Sequence, residues 1–238
     1  MHLFDDVLRG VWALLPPQPD KEAAYSPSLC APDGEKDRIL FRSDTAYELG
    51  GGGKPSVCGV LYGDTPGQRD RVLLYGPDLA EIRADSPFAH ITLVQLREQT
   101  AEEAYYEQLK NVGFTVFQVY PEGYLIRISP SAGKELVRVA KTAVAGKTPL
   151  SFMNVGCSLI REFKKHEEAA FVQTVFITKP DFDYTALSDL TARARSITDA
   201  LRHTLETGDL DCAACKMKPI CDTVEGLREL HFRKEQMQ

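Results

Sequence analysis

Three of the chain's six cysteines fall within the segment Asp211-Cys-Ala-Ala-Cys-Lys-Met-Lys-Pro-Ile-Cys-Asp222. Cys212 and Cys215 form a Cys-x-x-Cys turn, and Cys221 follows after five residues, with Pro219 stiffening the stretch between them. Such a turn places two sulfurs on one metal, and a third arrives from the returning chain. Three thiolates leave a tetrahedral zinc or a four-iron cluster one ligand short. His231 is the nearest candidate for the fourth place, with Cys30, Cys58 and Cys157 as thiolate alternatives should the fold bring them close. A redox-active dithiol also uses Cys-x-x-Cys, although it normally opens a helix straight after a strand. Inert, buried thiols are the third reading. Acidic and basic neighbours (Asp211, Lys216, Lys218, Asp222) make the segment unlike a core and favour the metal or iron-sulfur reading.

A second stretch, Gly50, Gly51, Gly52, Gly53 and Lys54, could let a ligand approach the main chain. It departs from a phosphate loop, because Glu48 and Pro55 stand where that motif needs Gly and Ser or Thr. It is equally unlike a Gly-x-Gly-x-x-Gly turn into a helix, since Val57 to Tyr62 reads as a strand. A flexible hairpin turn is the plain alternative.

These residues must be carried by ordinary globular elements. The chain has 238 residues, 43% apolar and 26% charged, enough for one substantial core. Its net charge of -6 and pI near 5.5 lack the basic face that nucleic acid or an anionic membrane would need. No apolar run is long enough to span a membrane, and Asp5 and Asp6 replace the basic start of a signal peptide. The expected location is therefore the cytoplasm, where cysteines are ligands or free thiols rather than disulfides.

Leu3 to Leu15 carries the i, i+3, i+4 stripe of an amphipathic helix, and Gln18 to Lys36 reads as a connecting loop. Strands are expected at Ser56 to Tyr62, Val72 to Tyr75 and Ile91 to Leu96. Thr100 and Glu103 form a capping box for a helix ending at Gly113. Phe114 to Val119 and Tyr124 to Ile128 suggest a hairpin about Pro121-Glu-Gly123. Ser129-Pro130 then reads as the start of a helix with Leu136, Val137, Ala140 and Val144 on one face. Further expectations are a helix over Phe152 to Lys165, in which Cys157 packs, and a central strand over Phe171 to Thr178. A long helix over Thr185 to Thr207 then delivers the cysteine segment, its basic residues Arg193, Arg195, Arg202 and His203 solvated or, alternatively, facing an anionic ligand. The fold class expected is α+β, a mixed β-sheet flanked by helices with a cysteine-rich metal-binding tail. Its divisions are 1–37 (N-terminal helix and linker), 38–208 (α+β domain) and 209–238 (tail).

Taken in order, Tyr47-Glu-Leu-Gly-Gly51, Gly76-Pro-Asp78, Ile126-Arg-Ile128, Val175-Phe-Ile-Thr-Lys-Pro180 and the long helix into Cys212-Ala-Ala-Cys215 form a pattern. It resembles the β subunit of the carbon monoxide dehydrogenase/acetyl-CoA synthase complex over Ala46 to Cys221. In that family a cysteine quartet holds a four-iron cluster bridged to nickel, where a methyl group, carbon monoxide and coenzyme A combine. The resemblance implies cluster ligation by Cys212, Cys215 and Cys221, with His231 where the fourth cysteine would stand and the middle gap shortened. The family's nickel-holding Cys-Gly-Cys is absent from this sequence. Complete acetyl-CoA synthesis by this chain alone is therefore not expected, and no catalytic residue is assigned. The resemblance implies an accessory iron-sulfur protein of one-carbon, corrinoid or methyl-transfer metabolism. Its expected partner is a corrinoid protein or a dehydrogenase subunit, with coenzyme A as a possible ligand of the glycine loop. A structural Cys3His zinc site in a non-catalytic binding protein is the alternative.

Overall fold

The computed structural model describes residues 3–34, 44–64, 67–97, 102–129, 133–206, 214–224, 226, 227 and 229. In chain order the elements are α1 (Asp5–Leu14), β1 (Lys21–Ala24), β2 (Ala46–Leu49), β3 (Ser56–Tyr62), β4 (Arg71–Tyr75), β5 (Phe88–Leu96), α2 (Glu102–Gly113), β6 (Tyr124–Ser129), β7 (Lys134–Ala140), α3 (Lys141–Val144), α4 (Phe152–Phe163), β8 (Ala169–Ile177), α5 (Tyr184–Glu206) and α6 (Lys218–Thr223). Short 3-10 turns cover Pro27–Leu29, Leu79–Glu81 and Phe114–Gln118. The architecture is α+β, as the sequence predicts.

Five strands form a mixed sheet in the order β1-β4-β8-β5-β3. β8 occupies the middle, parallel to β4 and antiparallel to β5, while β5 runs parallel to β3. Its unbroken buried run from Val172 to Ile177 is the pattern of a strand covered on both faces. α4 lies on one face, where Gly156 approaches Val72 and Phe176. α5 lies on the other, where Gly59 of β3 faces Thr191, and α1 packs onto α5 at Gly10 and Leu190. Phe88, Phe152 and Phe176 form an aromatic cluster under α4, with Phe152 and Phe176 centroids 4.6 Å apart. Each such buried ring contributes roughly 1.5–3 kcal/mol through the water it sheds.

The start of α4 is fixed twice. Ser151 Oγ accepts the Asn154 N–H at 3.2 Å, and the Phe152 N–H donates to Asp78 Oδ1 at 2.8 Å. Asp78 also accepts from Leu79 N–H (2.8 Å) and Lys21 Nζ (3.2 Å), so a carboxylate with only 4% of its residue surface exposed is well satisfied. It joins β1, the turn after β4 and α4.

Four local readings change. Lys21–Ala24, expected within a loop, is edge strand β1 paired with β4. Its side chains are mostly exposed, so no apolar alternation announced it. Phe114–Gln118 is a 3-10 turn rather than a strand, with Phe114 63% exposed and Thr115 and Val116 buried. Residues Lys134–Ala140, expected in a helix, are β7, the hairpin partner of β6 and the centre of a second sheet ordered β2-β7-β6. Alternation decides the case: Glu135, Val137 and Val139 are buried while Lys134 and Leu136 are exposed, and pairing on both edges outweighs the helical spacing of the apolar residues. Finally, Gly50 to Lys54 is no hairpin turn, because it carries the chain from β2 in one sheet to β3 in the other.

The capping residue Thr100, the run at Arg38 to Phe41 and Ser129's partner Pro130 lie outside the described residues, as do Cys212 and His231. No helix among the described residues is long and apolar enough to cross a membrane.

Candidate functional site

The cysteine segment is reached from α5, whose buried stripe (Leu187, Ala194, Ile197, Leu201) anchors it across the large sheet. Cys215 is half-buried ahead of α6, and its carbonyl accepts the Lys218 N–H at 3.2 Å. Pro219 sits in the first turn of α6, where its missing N–H costs nothing. Cys221, on the inner side of α6, is 9% exposed and belongs to the main apolar core together with Val224 and Leu227. The half-buried Cys215 thus precedes, and the buried Cys221 belongs to, a short helix packed on α5. Among the described residues no group of three metal-binding side chains occurs.

The glycine stretch divides into a buried half and an exposed half. Gly50 and Gly51 are buried, and Gly52, Gly53 and Lys54 are exposed. Gly50 has φ +73°, and a Cβ there would meet the Ser56 side chain and the Glu135 carbonyl. Nothing lies within 4 Å of the corresponding positions at Gly52 and Gly53, so the tip is open while its root is packed.

That root leads into a polar network that sequence reasoning did not single out. His90 of β5 and Glu135 of β7 are 2% and 1% exposed, and His90 Nδ1 lies 2.9 Å from Glu135 Oε2. The other ring nitrogen, Nε2, is 3.1 Å from Thr92 Oγ1, and the imidazole stacks on Phe176 with centroids 5.0 Å apart. Ser56 Oγ donates to the Glu135 carbonyl and accepts the Glu135 N–H at 3.0 Å, pinning β7 to β3. Glu135 Oε1 and the Tyr124 hydroxyl are buried without hydrogen-bond partners. The signal for Glu135 was the alternation of Lys134 to Ala140; that for His90 was a histidine inside a predominantly apolar strand.

Cys58 stands opposite His90 in the β3–β5 register. Burial pushes its thiol well above the usual range, and the nearby Glu135 charge adds to this while Arg195 opposes it. A thiol held protonated is a poor nucleophile and a poor ligand. The arrangement of Cys58, His90 and Glu135 therefore clamps two sheets together and leaves the sulfur unarmed. Cys157 is fully buried in α4, as expected for packing, and burial raises its thiol as well. Arg195 lies against Gly133, where any side chain would collide with its guanidinium.

No protein-family model matches the chain, and no curated protein matches it.

Proposed function

We propose that the chain is an iron-sulfur protein related to the β subunit of acetyl-CoA synthase, with an accessory role in one-carbon, corrinoid or methyl-transfer metabolism. The observation that supports this most is the placement of the tail. A 23-residue helix rooted across the main sheet leads to a segment in which the half-buried Cys215 stands just ahead of α6 and the buried Cys221 lies within it. Cys212, Cys215, Cys221 and His231 are the ligands of this reading, three thiolates and one imidazole, a donor set suited to a four-iron cluster. Such a cluster supplies one-electron transfer. The chain's own part is to hold the cluster at the surface: Cys221 ties the segment to apolar packing, and Lys218 pairs with Asp222 at 2.9 Å on the exposed side of α6. A neutral imidazole in place of a thiolate raises the potential relative to all-cysteine ligation. A corrinoid protein or dehydrogenase subunit is the partner this chemistry suits, and the open tip of Gly52 to Lys54 is where coenzyme A would meet the main chain.

The burial of Cys221 in the core favours one alternative, a Cys3His zinc site that pins the tail and does no electron transfer. Oxygen-free purification separates the two. Brown protein with broad near-visible absorbance and about four irons per chain supports the cluster; colourless protein with one zinc supports the pin. Protein that carries neither metal and takes up neither on reconstitution overturns both.

A further inference from the structure

Cys30 and Cys157 stand far apart in the sequence, and the fold brings them together. The segment after β1 lies along α4 and is stapled there on both sides of Cys30. Asn154 Nδ2 donates to the Leu29 carbonyl at 2.8 Å, Ala31 N–H donates to the Asn154 carbonyl at 3.3 Å, and Ser158 Oγ donates to the Ala31 carbonyl at 3.4 Å. Cys157 sits in the same turn of the helix, between Asn154 and Ser158. Both sulfurs meet the main chain of one residue: Cys30 Sγ donates to the Ser26 carbonyl at 3.9 Å, and the Cys157 thiol also hydrogen-bonds to the Ser26 backbone. Both are free thiols in the resting fold.

Their surroundings differ in access. Cys157 is wholly buried, whereas Cys30 is half-buried and lines a cavity of about 570 Å³ beside the entry of β6. A molecule as small as hydrogen peroxide therefore reaches Cys30 first. Burial raises both thiols; at Cys30 the Arg161 charge opposes this, while Asp33 and Glu162 add to it. We propose that Cys30 and Cys157 form a peroxide-sensitive pair that closes to a reversible disulfide, with Cys30 oxidised first and Cys157 resolving it. The Cys30 thiolate attacks one peroxide oxygen, the O–O bond breaks, and Cys30 becomes a sulfenic acid as the departing hydroxide takes up a proton. The Cys157 thiolate then attacks the Cys30 sulfur; the S–S bond forms, the S–O bond breaks and the oxygen leaves as water. Two thiols lose two electrons, and one peroxide is reduced to two waters. The pair lies apart from the cysteine tail and does not depend on the metal reading.

Peptide mass spectrometry on the full chain, reduced, treated with hydrogen peroxide at mildly alkaline pH and then alkylated, tests the proposal. Trypsin places Cys30 in peptide 22–36 and Cys157 in peptide 148–161, each with a single cysteine, so tail cysteines are read separately. The native protein yields the two peptides joined, lighter by two hydrogens than their sum, and dithiothreitol releases them. Cys157→Ala stops the reaction at the Cys30 sulfenic acid, which dimedone traps several-fold more than in the wild type. Cys30→Ser leaves Cys157 an unoxidised thiol after the same exposure. Should Cys157→Ala lose its native circular-dichroism spectrum, the joined peptide from the wild type decides alone. The proposal is overturned if the native protein gives no joined peptide, if that peptide forms only in urea, if Cys30 pairs with Cys215 instead, or if dimedone labels Cys30 equally in the wild type and a folded Cys157→Ala variant.

Discussion

The His90 imidazole in the five-stranded sheet and the Glu135 carboxylate in the three-stranded sheet meet at 2.9 Å, both almost wholly withdrawn from water. Among the described residues, the pair is the one histidine–carboxylate contact that joins the two sheets in the interior. Removing one partner leaves the other buried and unpaired. Glu135→Ala should cost about 3 kcal/mol in urea unfolding, whereas His90→Phe with Glu135→Leu should cost about 1 kcal/mol or less, since an apolar pair needs no compensation. Additive single-variant effects in this double-mutant cycle would show that the contact carries no coupling.

Asp78 holds the start of α4 through Oδ1 and Lys21 through Oδ2. Asp78→Ala strips three donors of their acceptor and should destabilise by about 2–3 kcal/mol. Asp78→Asn retains one acceptor oxygen and should lose roughly half of that. Equal losses in the two variants would mean that charge, and not hydrogen-bond acceptance, is what α4 requires.

The glycine stretch predicts a contrast between neighbours. Gly50→Ala drives a Cβ into Ser56 and the Glu135 carbonyl at a positive φ and should cost about 2–3 kcal/mol. Gly52→Ala meets open space and should cost only the left-handed backbone penalty, about 1 kcal/mol. Comparable denaturation midpoints for the two variants would remove the packing role assigned to Gly50.

Acid sensitivity has a definite sign. Asp20 is held below the usual carboxylate range, first by its hydrogen bond to Lys179 and also by the Gly76 N–H. The folded state therefore binds this proton less readily than the unfolded chain. Its contribution is present above the ordinary aspartate value of about 4 and is lost as pH falls through the lower folded value. Because Asp20 is 46% exposed, solvent screens the effect and it stays small. Asp20→Asn should flatten the stability profile on the acid side and leave its neutral region nearly level; an unchanged acid slope in the variant contradicts the assignment.

Thiol labelling should follow burial. At mildly alkaline pH, iodoacetamide applied to metal-free protein should modify Cys215 and Cys30, both half-buried, long before Cys58 and Cys157. Burial raises the Cys30, Cys58 and Cys157 thiols alike in direction, but only the last two are buried and so shielded from the reagent. Peptide mass spectrometry reads the order, and early modification of Cys58 would mean that the two sheets part more easily than their packing indicates.

The sequence by itself determined the elements whose periodicity is strong and local. The helices α1, α4 and α5 follow from apolar residues recurring by threes and fours, and β8 follows from a near-continuous apolar run too short for a buried helix. It also determined that Cys212, Cys215 and Cys221 stand close along the chain, because spacing is covalent. Tertiary structure alone decided that Lys134–Ala140 pairs as a strand, since its apolar residues fit a helix until β2 and β6 offer hydrogen bonds on both edges. The same holds for Lys21–Ala24, whose place is set by the free edge of β4 and by no pattern of its own. His90 and Glu135 are 45 residues apart, and only the packing of one sheet on the other turns two ordinary polar residues into a buried pair.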